Sequence, residues 1–101
     1  MPFRHVVMFK WEEGLGHDHV DRVRGGLNSM PQVIEEIRGY VHGTDVGVSE
    51  GNYDYVVVAD FENIDGWRVY RDHPHHVLFI EEVIKGNVAQ RAAIQYVTGP
   101  T

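Results

Sequence analysis

The sequence predicts an α+β domain: one antiparallel four-stranded sheet with its helices on a single face. Three observations lead there. Residues 3–11 and 53–61 alternate with period two and are rich in aromatic and β-branched side chains, which marks strands. From Val20 to Met30, and again from Ile64 to Ile84, apolar residues recur at helical spacing instead. Along the chain the order is strand, helix, strand, strand, helix pair, strand, which is the split β-α-β or ferredoxin-like arrangement. With 101 residues there is enough chain for one core and too little for two, so residues 1–101 are expected to form a single domain.

In the first strand Phe3, His5, Val7, Phe9 and Trp11 share one face, and Arg4, Val6, Met8 and Lys10 the other. Residues 12–16 connect to a helix with Val20, Val23, Leu27 and Met30 on one stripe and Asp21, Arg22 and Arg24 opposite. Gly25 and Gly26 lie inside it, each costing about 1 kcal/mol relative to alanine. Either a neighbour packs closely there or the helix is locally loose. Pro31 restarts the chain, and Val33, Ile34 and Ile37 form a short helical turn. Residues 38–48, carrying Tyr40, Val41, Thr44, Val46 and Val48 among three glycines, read as an irregular strand, and 49–52 as a turn. The strand 53–61 sets Tyr53, Tyr55, Val57, Ala59 and Phe61 against Asp54, Val56, Val58 and Asp60. Asn63 caps a helix bearing Ile64, Trp67 and Tyr70. A second helix aligns His76, Phe79, Ile80, Val83 and Ile84 against Glu81, Glu82 and Lys85, and ends at Gly86 or Asn87. Residues 89–97 form the last strand, and 98–101 a tail.

A net charge of −6, without basic clusters interleaved with aromatics, argues against a nucleic-acid partner. The absence of cysteine excludes disulfides, zinc-thiolate sites and thiol catalysis. The chain runs straight into a strand pattern, and no apolar run approaches the ~20 residues of a membrane span. A cytoplasmic protein without a membrane partner is expected. No cofactor and no metal site is expected either: His17, Asp18, His19 and Asp21 read as a solvated helix start.

Helices can cover only one face of such a sheet, leaving Val6, Met8, Val56 and Val58 bare on the other. An apolar patch of this kind marks an interface, and a two-fold homodimer closing two sheets into a barrel is the simplest cover. The same parity turns His5, Val7, Phe9, Tyr55 and Val57 toward the helices, where Trp67, Tyr70, His76, Phe79 and Ile80 look back. Polar groups converging between apolar walls describe a small-molecule pocket.

Chemistry is densest in Tyr70-Arg71-Asp72-His73-Pro74-His75-His76. A residue before proline leaves the helical region, and proline favours the first helical position. One helix therefore ends near Asp72, the chain corners at His73, and the next helix begins at Pro74. His76 then sits in a first turn whose dipole disfavours imidazolium, so it is expected to be neutral and able to accept a proton. His73 reads as a cap, His75 as solvent-facing, and Arg68 and Arg71 as solvating the outside of their helix. Two readings of His76 stand. It is a general base for proton abstraction next to a carbonyl, with Tyr70 and the N–H groups after Pro74 attending the oxygen; or it is a buried histidine satisfied by Tyr70 or a carbonyl. His5 divides between a structural and a pocket role, and Tyr55 between pocket wall and core aromatic.

The segments His5-Val6-Val7-Met8-Phe9-Lys10, Gly43-Thr44-Asp45, residues 53–62 and above all His73-Pro74-His75-His76-Val77 resemble the stress-responsive α/β-barrel (Dabb) family over nearly the whole chain. The resemblance implies a dimeric α+β barrel. Through a polyketide-cyclising plant relative it implies His76 and Tyr70 as catalytic residues and His5 as a further pocket histidine. A fourth histidine of that pattern falls at Tyr55. The expected function is thus binding of a small molecule, with cofactor-independent cyclase or lyase action on a polyketide-like or phenolic substrate. His5, Tyr55, Trp67, Phe79, Val57 and Phe9 are the expected binding residues. Two alternatives stay open: a non-catalytic stress-response binding protein and, on fold analogy alone, a cofactor-free monooxygenase.

Overall fold

A computed structural model of the chain describes residues 1–99; of the expected tail, Pro100 and Thr101 lie outside the described residues. In chain order come strand β1 (Phe3–Trp11), helix α1 (His17–Val33), strands β2 (Ile37–Thr44) and β3 (Tyr55–Phe61), helices α2 (Ile64–Asp72) and α3 (Pro74–Phe79), and strand β4 (Val88–Val97). Helix α3 runs on into a π-helical turn, Ile80–Ile84, in which the Lys85 N–H donates to the Ile80 carbonyl at 2.8 Å. All strands pair antiparallel in the order β2-β3-β1-β4, giving the expected ferredoxin-like α+β fold.

Strand parity decides the two faces. Phe3, His5, Val7 and Phe9 of β1, and Tyr55, Val57, Ala59 and Phe61 of β3, are buried. Over them lie Val23, Leu27 and Met30 of α1, Tyr70 of α2, Phe79 of α3 and Ile84 of the π-helical turn. On the opposite face Val41, Val58, Val6 and Ile94 fall into register as one apolar row across all four strands. Val41 is 64% and Ile94 59% exposed. The bidentate Arg4–Asp60 pair, at 2.7 and 3.0 Å, rims this surface.

Three expectations need correction. Pro31 does not restart the chain; it lies in the last turn of α1, where its missing N–H leaves only the Leu27 carbonyl without its usual helical donor. Ile37 opens β2 and is not part of a helical turn. Strand β2 stops at Thr44, leaving Val46 and Val48 exposed, because the partner strand β3 begins only at Tyr55. The β2–β3 register also slips between Ile37 and Gly39. That bulge puts Tyr40 and His42 on the same, helix-covered face as Ile37.

The glycine pair divides cleanly. A side chain at Gly26 would collide with the Phe79 ring, whereas nothing stands within 4 Å of one at Gly25. The close approach lets α3 dock on α1. Gly26→Ala is therefore expected to lower the unfolding free energy by about 1–3 kcal/mol, while Gly25→Ala raises it by about 0.5–1 kcal/mol. Urea denaturation of the two variants checks this opposition of sign.

Candidate active site

The site grows out of a hydrogen-bond exchange at the His73–Pro74 corner. In an uninterrupted helix the Tyr70 carbonyl would accept from residue 74, but proline has no N–H, and the His73 N–H takes its place at 3.3 Å. The Arg71 carbonyl would accept from the His75 N–H. That N–H is instead claimed by the His73 ring, whose Nδ1 accepts it at 3.1 Å and caps α3, as expected of a corner residue. The orphaned Arg71 carbonyl is then 3.1 Å from Nδ1 of His76. A carbonyl oxygen only accepts, so His76 Nδ1 carries the proton and Nε2 keeps its lone pair. Among the described residues Nε2 has no protein partner.

Burial lowers the pKa of His76, and the nearby His73 and His75 act the same way, against a raising contribution from the Arg71 carbonyl bond. The expectation of a neutral ring holds, but its main cause is desolvation and not the dipole of this six-residue helix. The ring lies against Tyr70, with centroids 4.2 Å apart and planes 36° from parallel. The Tyr70 hydroxyl is 2.8 Å from that of Tyr40, and burial pushes Tyr70 up to about 12.

His76 and Tyr70 border a cavity of about 310 Å³ between the sheet and the helices. His5, Phe9, Val57, Trp67, Tyr70, His76 and Phe79 all line it, so the structure brings together every expected site residue except Tyr55. His5 is 7% exposed, and the Gln95 side-chain amide donates to its Nδ1 at 2.8 Å. Burial first, then the charges of Arg91 and His76, hold its pKa down at about 4, so the neutral ring carries its proton on Nε2. The two histidines thus present opposite tautomers: an acceptor at His76 Nε2 and a donor at His5 Nε2. Of the N–H groups after Pro74 expected to attend the oxygen, that of His75 is spent on the cap.

Tyr55 is away from this wall. It is 2% exposed, and its hydroxyl lies 2.6 Å from Nδ1 of His42, whose Nε2 is 2.8 Å from Asn28 Oδ1. The amide oxygen requires His42 to donate from Nε2, so Tyr55 donates to Nδ1. His75 does not face solvent; its Nε2 is 2.7 Å from Ser29 Oγ, whose own proton goes to the Gly26 carbonyl at 2.6 Å. Arg71 does not simply solvate its helix: it borders the cavity with its guanidinium 5.0 Å from the Trp67 ring centroid. His19 is not solvated but buried edge-on to Trp11 at 4.5 Å, its Nε2 without a partner. Among the described residues no three His, Asp or Glu side chains gather to hold a metal ion. Sequence reasoning missed Tyr40 and His42, hidden by the bulge, and Gln95, Lys85 and Arg91, whose facing depends on the β1–β4 register and the π-helical turn.

A two-layer α+β domain with a half-open cavity at the seam between helices and sheet is the class that fold and site define. The chain belongs to the Stress responsive A/B Barrel Domain (Dabb) family, whose sequence model matches residues 3–98. A stress-response A/B barrel domain-containing protein of Arabidopsis thaliana is 23% identical over 97 residues, spanning 94% of this chain and 88% of its own. A solved structure from Thermobifida fusca, described as a dimeric ferredoxin-like protein of unknown function, is 38% identical. It matches with a TM-score of 0.89 over 96% of this chain and 91% of that one. The hydroxynitrile lyase of Passiflora edulis shares the fold at a TM-score of 0.86 and 15% identity, over 99% and 95% of the two chains.

Proposed function

We propose that this protein binds a small molecule in the seam cavity and acts on it as a cofactor-independent cyclase or lyase, by proton abstraction next to a carbonyl of a polyketide-like or phenolic substrate. The observation that carries this reading is an unpartnered His76 Nε2 and a His5 Nε2–H in the lining of one cavity. In the proposed step the substrate C–H gives its proton to His76 Nε2, and the electron pair moves onto the carbonyl oxygen. The enolate oxygen accepts from His5 Nε2–H and from the Tyr70 hydroxyl. Tyr70 remains a phenol at neutral pH, and a Tyr40-to-Tyr70 direction of their bond leaves its proton for the substrate. The imidazolium formed keeps its bond to the Arg71 carbonyl and lies against the Tyr70 ring, both of which favour the cation. The carbanion then attacks a second carbonyl or expels a leaving group.

Support also comes from the walls. Phe9, Trp67 and Phe79 border open space and do not fill it, which favours a ligand over a barrel serving stability alone. The Passiflora edulis enzyme adds, at the level of fold only, that this scaffold can host a lyase. A homodimer is part of the same proposal, resting on the four-strand apolar row and on the dimeric Thermobifida fusca relative. So is a cytoplasmic setting.

Deuterium exchange at the acidic carbon of benzoylacetone, followed by NMR, tests the chemistry without knowledge of the natural substrate. Wild type is expected to accelerate exchange, and His76→Ala to slow it about 10²–10⁴-fold with binding retained. Because the free base is the active form and burial lowers its pKa, the rate should climb with pH through a midpoint below 6.5 to a plateau. Binding without any difference in exchange between the two proteins removes the enzyme reading. For the assembly, sedimentation velocity should give wild type twice the monomer mass and Val58→Asp the monomer mass; a monomeric wild type contradicts it.

A further inference from the structure

The charged residues on the cavity wall are all basic, Arg71, Lys85 and Arg91, in a chain of net charge −6. Two of the three already have partners. Arg71 is clamped on Asp72 by bonds of 2.8 and 2.9 Å, and Lys85 reaches Glu81 at 3.3 Å. Arg91 differs: among the described residues its side chain makes neither a hydrogen bond nor an ion pair. It stands opposite Phe9 in the β1–β4 ladder, so its side chain rises on the helix-covered face of the sheet. Arg91 itself is exposed. Its charge still reaches the cavity, since it adds to burial in disfavouring the His5 imidazolium.

We infer that the ligand of this cavity is an aryl or polyketide carboxylate, its anionic end held by Arg91 and its apolar body lying along Phe9, Trp67 and Phe79. A guanidinium with its fork of donors unused matches a carboxylate bidentately, and a cavity mouth of one sign concentrates anions. The single unpaired charge of Arg91 balances a monoanion, whereas a phosphate dianion would keep a second charge uncompensated there. The inference rests on the proposed ligand cavity and adds to it the charge and orientation of what binds: carboxylate at β4, reacting carbonyl at His76 and His5.

Calorimetric titration with 2-naphthoate and 2-naphthamide, which share one body and differ in charge, tests this. Wild type is expected to prefer the carboxylate by about tenfold or more, the range for hydrogen bonds to a charged group. Arg91→Gln should abolish that preference by weakening naphthoate alone, and Arg91→Lys should keep part of it; unchanged naphthamide affinity shows that the variants remain folded around the cavity. Equal affinity of wild type for both probes, or a preference that survives Arg91→Gln, overturns the carboxylate assignment and leaves an apolar ligand cavity standing. Failure of wild type to bind either probe removes the ligand cavity and this inference together.

Discussion

Everything at the seam follows from one missing N–H. Because Pro74 cannot donate, α2 ends with its last carbonyls unsatisfied, and the chain settles the debt locally: His73 covers Tyr70, the His73 ring takes the His75 N–H, and the His76 ring takes the Arg71 carbonyl. Three consecutive-turn histidines thereby acquire three different tasks. One caps, one docks α3 on α1 through Ser29, and one is left with a lone pair and no protein partner. The same need to satisfy buried polar groups that builds the corner also sets which nitrogen of His76 is basic.

The sheet supplies the complementary half. Odd residues of β1 and β3 face the helices, and the ladder places Gln95 of β4 directly beside His5. An amide donating to His5 Nδ1 sends the imidazole proton to Nε2, so a strand pairing fixes the second tautomer as firmly as the corner fixes the first. Gly26 completes the arrangement, since only a residue without a side chain lets Phe79 sink against α1 and bring α3 over the cavity. Beyond it the π-helical turn carries Ile84 and Lys85 to the cavity wall, widening the helix by one residue where the space opens.

Much of this was legible in the sequence. Period-two alternation in residues 3–11 gave the covered and bare faces, and the proline corner gave the boundary between α2 and α3 to the residue. Those two patterns alone put His5, Tyr70 and His76 on one cavity. What stayed hidden depends on register and on long-range pairing. A one-residue slip at Arg38 reverses the facing of Tyr40 and His42, and no local pattern announces such a bulge. Tyr55 lies on the face that its parity indicates, but its hydroxyl is held by His42, itself fixed by Asn28, away from the cavity. Arg91 and Gln95 are polar residues on an edge strand, where alternation of polarity is weak, and they gain meaning only opposite Phe9 and His5. The solvated look of the α1 start concealed His19 because its partner, Trp11, arrives from another element.

The central claim is that backbone and amide partners fix opposite tautomers in His76 and His5. Long-range ¹H–¹⁵N correlation spectra of the imidazole rings at neutral pH test it most directly. The account predicts a protonated Nδ1 and bare Nε2 for His76, with the reverse pattern for His5. A His76 ring bearing its proton on Nε2, or on both nitrogens, would contradict it.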